Sequence, residues 1–193
     1  MPQDVSLLPQ KRWITTEIEI NAPSAVVWKV LTDFPGYGSW NPSIRQIEGA
    51  LIVGKRLRVF ARLPCGLPMV LWPKVLSFGI EQEIRWLGSL LVSGLLDGEH
   101  LFILEPLGEA QVRFVQREEY SGVLLPIIWP WLRSQGLEAF GMMNRALKKA
   151  AEHTCESSGG LFALESKQLN KTYEWTFGLT GAVFLWLTLL YFA

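Results

Sequence analysis

From Trp13 to Ile20 apolar and polar residues alternate, with Ile14, Ile18 and Ile20 on one face and Glu17 and Glu19 on the other. That period of two predicts a half-buried strand. Asn21-Ala-Pro-Ser then opens a short helix whose apolar stripe is Val26, Val27, Val30 and Leu31. A turn-rich stretch, Phe34 to Pro42, follows it. Strand patterns recur at Ile44–Ala50, Arg56–Leu63, Met69–Phe78, Glu81–Leu87, Glu99–Glu105 and Gln111–Ser121, with Gly79, Gly98 and Gly108 at three of the corners. Beyond Pro126 and Pro130 the period lengthens to three and four. Leu132, Gly136, Ala139, Phe140, Met143, Leu147 and Ala150 trace one face of a helix reaching about Glu152. Arg133, Glu138, Arg145, Lys148 and Lys149 occupy its opposite side. One strand, short helices, an antiparallel meander and a long amphipathic helix predict an α+β domain. Its expected form is a curved seven-stranded antiparallel sheet wrapped around that helix.

The pattern changes after Glu152. His153 to Thr172 is polar and contains a Gly-Gly pair, as a linker would. From Trp175 to Ala193 the only ionisable group is the terminal carboxylate. As a helix this stretch would span about 28 Å, near the hydrocarbon thickness of a bilayer. Tyr173, Trp175, Tyr191 and Phe192 place aromatic rings at both ends, where membrane interfaces would lie. A buried core helix would normally keep a polar face, and a helix lying on the membrane needs a charged one. A transmembrane helix is therefore the expectation, inserted late in synthesis in the manner of a tail anchor. Lys167 and Lys171 favour a cytosolic amino-terminal domain on a single-pass membrane protein, in the endoplasmic reticulum if the source is a eukaryote. The expected organisation is an extension over 1–11, a globular domain over 12–152, a linker over 153–172 and an anchor over 173–193.

Composition narrows the function classes. Eighteen basic and eighteen acidic residues leave no net charge, so no overall field recommends nucleic acid as a partner. Cys65 and Cys155 belong to no CxxC pair or Cys/His cluster. Two free thiols in a reducing compartment is the reading favoured over a disulfide. With two histidines, a histidine-based metal site is not expected, and no phosphate-cradling glycine loop or nucleophile motif calls for a cofactor. Met1 to Arg12 has no apolar run of the kind a secretory signal carries.

Three blocks carry a resemblance. IEINAPSAVVWKVLTDFPGYGSWNPSI, then DGEHLFILEPLGEAQVRFVQREEYSG, then FGMMNRALKKAAE resemble, in that order, the opening, late strands and closing helix of the SRPBCC superfamily. That superfamily includes START-like and polyketide cyclase/dehydrase-like proteins. The resemblance frames about residues 12 to 152 and implies a helix-grip fold with a deep pocket between sheet and long helix. It does not select a function, because the superfamily places carriers, hormone binders, cyclases and aromatases on one cavity. The apolar segment Leu63 to Trp72 fits it least well.

Strand parity indicates which side chains would face that pocket. His100 shares a face with Phe102 and Leu104, while Gln116 and Glu118 share one with Val112, Phe114 and Tyr120. A carboxylate beside an imidazole in such a place can act as a general acid/base pair, so His100 and Glu118 are the catalytic candidates. Alternatively, His100 sits at the strand's rim and Glu118 pairs with an arginine such as Arg85 or Arg113. The ligand-binding candidates are Trp40, Asn41, Trp86, Phe102, Phe114, Gln116, Tyr120, Phe140 and Met143. Trp40 would either stack on a flat ligand or plug the end of the sheet. The segment Val123 to Trp131 is apolar and holds two prolines, so it reads as a loop: a lid, a bilayer-touching surface, or a cover over the core.

Membrane-tethered binding of a lipophilic small molecule in an internal apolar cavity is the first expected function. A cyclase-type enzyme shaping a polyketide- or terpenoid-like intermediate in secondary metabolism is the alternative. An accessory protein for membrane-bound biosynthetic enzymes is the third reading.

Overall fold

The computed structural model describes residues 11–157. The chain divides into two compact units, Met1–Glu152 and His153–Ala193. The expected anchor over 173–193 and most of the expected linker lie outside the described residues. Among the described residues, no helix is long and apolar enough to cross a membrane.

Among the described residues, eight strands form two antiparallel sheets rather than the single seven-stranded sheet expected. Strands β1 (Arg12–Ile20), β5 (Lys74–Gly79), β6 (Glu83–Ser89), β7 (Asp97–Gly108) and β8 (Gln111–Ser121) make a five-stranded sheet in the order β1-β8-β7-β6-β5. Strands β2 (Ile44–Glu48), β3 (Arg58–Arg62) and β4 (Pro68–Leu71) make a three-stranded sheet. The extra strand arises because Met69 to Phe78, expected as one strand, breaks at Trp72-Pro73. Proline has no N–H to donate and holds its predecessor extended, so the ladder cannot run through. The seam is closed instead by bonds across it: Leu57 N donates to Pro73 O at 2.9 Å, and Val75 N to Lys55 O at 2.9 Å.

Helix α1 (Ser24–Thr32) buries Val27 and Leu31, and the turn-rich stretch resolves into a 3-10 turn (Phe34–Gly36) and a single-turn helix α2 (Tyr37–Trp40). The long helix α3 occupies residues 125–157. It begins earlier than expected, so much of the apolar stretch read as a loop is its first two turns. Pro126 is tolerated there because a helix's first N–H groups have no intrahelical acceptor, and Pro130 removes one further bond. Residues 153–157, expected as linker, are helical too.

The core follows the periodicities. Ile14, Ile20, Phe102, Leu104, Val112, Phe114 and Tyr120 of the large sheet are buried, as are Ala139, Phe140, Met143 and Leu147 of α3. Close contact between α3 and β1 depends on Gly136, where a Cβ would come within 2.6 Å of the Ile14 Cδ1 atom. Burying a side chain of the size of Phe114 contributes about 1.5–3 kcal/mol.

Candidate functional site

The two sheets and α3 enclose a cavity of about 370 Å³. Its wall is largely apolar: Val59, Met69 and Leu71 from the small sheet, Trp86 from β6, and Ala139, Phe140 and Met143 from α3. Its polar exceptions include His100, Gln116, Glu118 and Tyr120, all on the paired strands β7 and β8.

His100 is the fourth residue of β7, not its rim, and is buried directly across the ladder from Glu118. Its Nδ1 lies 3.3 Å from Glu118 Oε2, and the Tyr120 hydroxyl donates to that same oxygen at 2.6 Å. Burial first, and Glu118 second, hold the Tyr120 hydroxyl well above the usual phenol range, so it stays a donor. The carboxylate is not diverted to an arginine. Arg85 pairs with Glu99 at 3.0 Å and Arg113 with Glu19 at 3.2 Å. Gly98, a strand position the pattern marked only as a corner, makes room for the cluster, since a Cβ there would strike Glu118 Oε1. The imidazole is clamped by rings: Phe102 stacks at 4.2 Å and Phe140 lies at 4.8 Å. With Nδ1 facing a carboxylate oxygen, the neutral ring is favoured in the tautomer protonated there. His100 Nε2 and Gln116 Oε1 are buried without a hydrogen-bond partner among the described residues.

Of the residues expected at the site, Trp86, His100, Gln116, Glu118, Tyr120, Phe140 and Met143 line the cavity. Trp40, Asn41, Phe102 and Phe114 do not. Asn41 is a structural turn residue, its Oδ1 accepting from Ser43 N at 2.9 Å and Ile44 N at 2.8 Å. Trp40 packs on Tyr37, with ring centroids 4.8 Å apart. Phe102 lies behind the wall, supporting His100 and stacking over Phe114 at 6.1 Å. The cavity is also lined by Leu63 and Leu67, from the apolar segment that fits the resemblance least, and by Ile128 and Trp131, from the apolar stretch read as a lid or cover. Sequence reasoning missed Leu90 and Leu96, because isolated leucines in loops carry no period. It also missed Asn144, which accepts from Gln116 and lies on the buried side of α3.

That rim is unusually apolar on its outer side. Leu91, Val92, Val123 and Ile127 are exposed. Leu91 is 86 % exposed and adopts φ 62°, a left-handed backbone that branched side chains seldom take. The bonds from Val123 N to Gly94 O and Leu124 N to Leu95 O, each 3.1 Å, tie this loop to the start of α3. Among the described residues no group of three or more His, Cys, Asp or Glu is placed to hold a metal. Cys65 and Cys155 are free thiols.

A family model described as polyketide cyclase/dehydrase and lipid transport matches residues 12–153. The chain belongs to that family. Solved structures agree on the fold. A START superfamily protein from Mycobacterium smegmatis is 21 % identical with a TM-score of 0.58, covering 75 % of this chain and 97 % of its own. The Zhui aromatase/cyclase from Streptomyces sp. R1128 is 14 % identical at 0.62, with coverage of 74 % and 94 %. Norcoclaurine synthase from Thalictrum flavum, in complex with a transition-state analogue, is 18 % identical at 0.57, with coverage of 76 % and 98 %. At such identities the likeness is one of fold, the helix-grip arrangement expected from the sequence. No curated protein matches the chain.

Proposed function

We propose that this domain binds a lipophilic small molecule inside its cavity, next to a membrane. The observation that carries the reading is a cavity of about 370 Å³ with a largely apolar wall and a buried polar cluster on β7 and β8. Apolar lining supplies affinity in proportion to the area removed from water, and a few fixed polar groups set orientation. Membership of a family described by both cyclisation and lipid transport is consistent with such a ligand. Mass spectrometry of organic extracts from the purified full-length protein tests this reading. A recurrent apolar molecule, absent when Ala139→Trp fills the cavity, is the expected result. Extracts identical to those of the filled variant count against it.

The membrane half of the proposal rests on the apolar segment Trp175–Ala193 and on the exposed rim of Leu91, Val92, Val123 and Ile127. An anchored domain whose rim can touch the same bilayer would exchange ligand without carrying it through water. Fractionation of cells expressing the full chain and a version ending at residue 157 tests the anchor. If both remain soluble, the tethered reading fails.

A cyclase-type reaction is the second reading, and the His100–Glu118–Tyr120 cluster is the observation that favours it. Such a site would orient a reactive chain, exclude water and move one proton. Loss of product formation in both His100→Ala and Glu118→Gln, with ligand binding retained, would distinguish catalysis from carriage.

A further inference from the structure

The buried polar wall of the cavity has a definite polarity of its own. Gln116 is fully buried, lies in the cavity lining and has no partner at Oε1. The orientation of its amide is set by its surroundings. Gln116 Nε2 donates to Phe140 O at 3.4 Å and also to Asn144 Oδ1. A backbone carbonyl can only accept, so the nitrogen must face Phe140 and the oxygen is left over. Asn144 is fixed in turn, its Nδ2 donating to Thr16 Oγ1 at 3.2 Å. The second unpartnered atom in this wall, His100 Nε2, carries the lone pair of the neutral ring when the proton sits on the nitrogen facing Glu118. Glu118 Oε2 already serves His100 and Tyr120. The Gln116 amide oxygen left over in the wall therefore accepts a hydrogen bond, and His100 Nε2 does so in the tautomer protonated at Nδ1.

We infer that the cavity selects a ligand with a neutral hydrogen-bond donor, an alcohol or phenol hydroxyl, set against Gln116 and His100 with its apolar remainder against Trp86, Phe140 and Met143. This rests on the ligand-binding reading above and names the chemistry that reading leaves open. Burying an acceptor without a donor is costly, so an apolar molecule lacking the hydroxyl leaves Gln116 Oε1 desolvated and bare. An ether of the same shape is worse placed still, because its oxygen can only accept.

The test uses 2-naphthol and 2-methoxynaphthalene as probes, titrated into the full chain and followed by calorimetry. In a purely apolar cavity the ether, being the more hydrophobic, would bind at least as well. The inference expects the naphthol to bind about tenfold more tightly or better. In Gln116→Leu that preference should fall to within about twofold. Should Gln116→Leu not fold, the wild-type preference stands with a second measurement, the side-chain amide resonances of Gln116. Those should shift on adding 2-naphthol and not on adding the ether. Equal affinity of the two compounds for the wild type overturns the inference while leaving the cavity reading intact. If neither compound binds, the cavity reading falls and the inference with it.

Discussion

Two parts of the same cavity wall are built on opposite principles. On β7 and β8 the side chains interlock: Glu118 takes contacts from two partners, Gln116 is held by α3, and His100 is gripped between rings. Around the rim, leucine, isoleucine and tryptophan side chains stand partly or largely in solvent with few specific partners. The lesson is that orientation and access are separated. A polar network holds geometry because each member has few alternatives, whereas an apolar rim can change partners without breaking directional bonds.

That contrast can be broken first from behind the polar wall. Phe114→Ala should destabilise the domain by about 3–5 kcal/mol, since it leaves a cavity beneath Phe102, and urea denaturation measures it. Gly98→Val should cost about 1–3 kcal/mol and displace the Glu118 carboxylate, which a histidine-selective NMR spectrum would report through His100. Alkali sharpens the picture further. Tyr120, and Tyr37 through its own burial, titrate higher in the folded chain than in the unfolded one. The stability they contribute is complete below the unfolded phenol value of about 10 and is lost as pH rises through the folded values. Denaturation midpoints should therefore fall only in strongly alkaline buffer. In Glu118→Gln the fall should begin at the same pH, set by the unfolded phenol, but should end sooner and total less, while burial, the larger cause, keeps part of it.

A weaker effect is expected at Glu152. Burial raises its carboxyl, but the Asn21 N–H, donating at 2.8 Å, and Lys148, at 3.2 Å, outweigh that and hold the group below the usual range. Its contribution is present above the unfolded carboxylate value and disappears as pH falls through the folded one. Glu152→Gln should cost under about 1 kcal/mol near neutral pH and nothing in acid, by urea denaturation at both. The smallest change in stability belongs to the rim. Leu91→Ser and Ile127→Ser should each shift stability by no more than about 0.5 kcal/mol. Binding of residues 1–157 to phosphatidylcholine vesicles should nonetheless fall several-fold, and unchanged binding would separate the rim from the membrane.

How far the sequence could be read follows the same division. Alternation along Gln111–Ser121 and Glu99–Glu105 placed His100, Gln116 and Glu118 on one face because period two is obligatory in a strand. The α3 stripe was equally legible at Ala139, Phe140, Met143 and Leu147. Pro73 was visible, but its effect was not: a proline can sit at a strand edge as well as end a ladder, and only the pairing decides. Pro126 misled in the opposite direction, since proline inside the first turn of a helix breaks nothing. Asn41 looked like a ligand contact because a short-range turn and a distant pocket draw on the same polar residues. Leu90 and Leu96 went unseen because the placement of their loop depends on bonds such as that between Val123 and Gly94, which no local period records.

The pairing of β1 with β8 has a consequence for how the chain matures. Arg12 lies opposite Tyr120 in that ladder, so β1 cannot complete its pairing until β8 has left the ribosome. Until then β5 to β7 can form hairpins, but the chamber stays an open trough with its apolar floor uncovered. Helix α3 follows β8 directly and can close that trough only once it too has emerged. The chamber therefore cannot close before α3 is available, and a nascent chain stalled short of Met143 would leave its apolar interior uncovered.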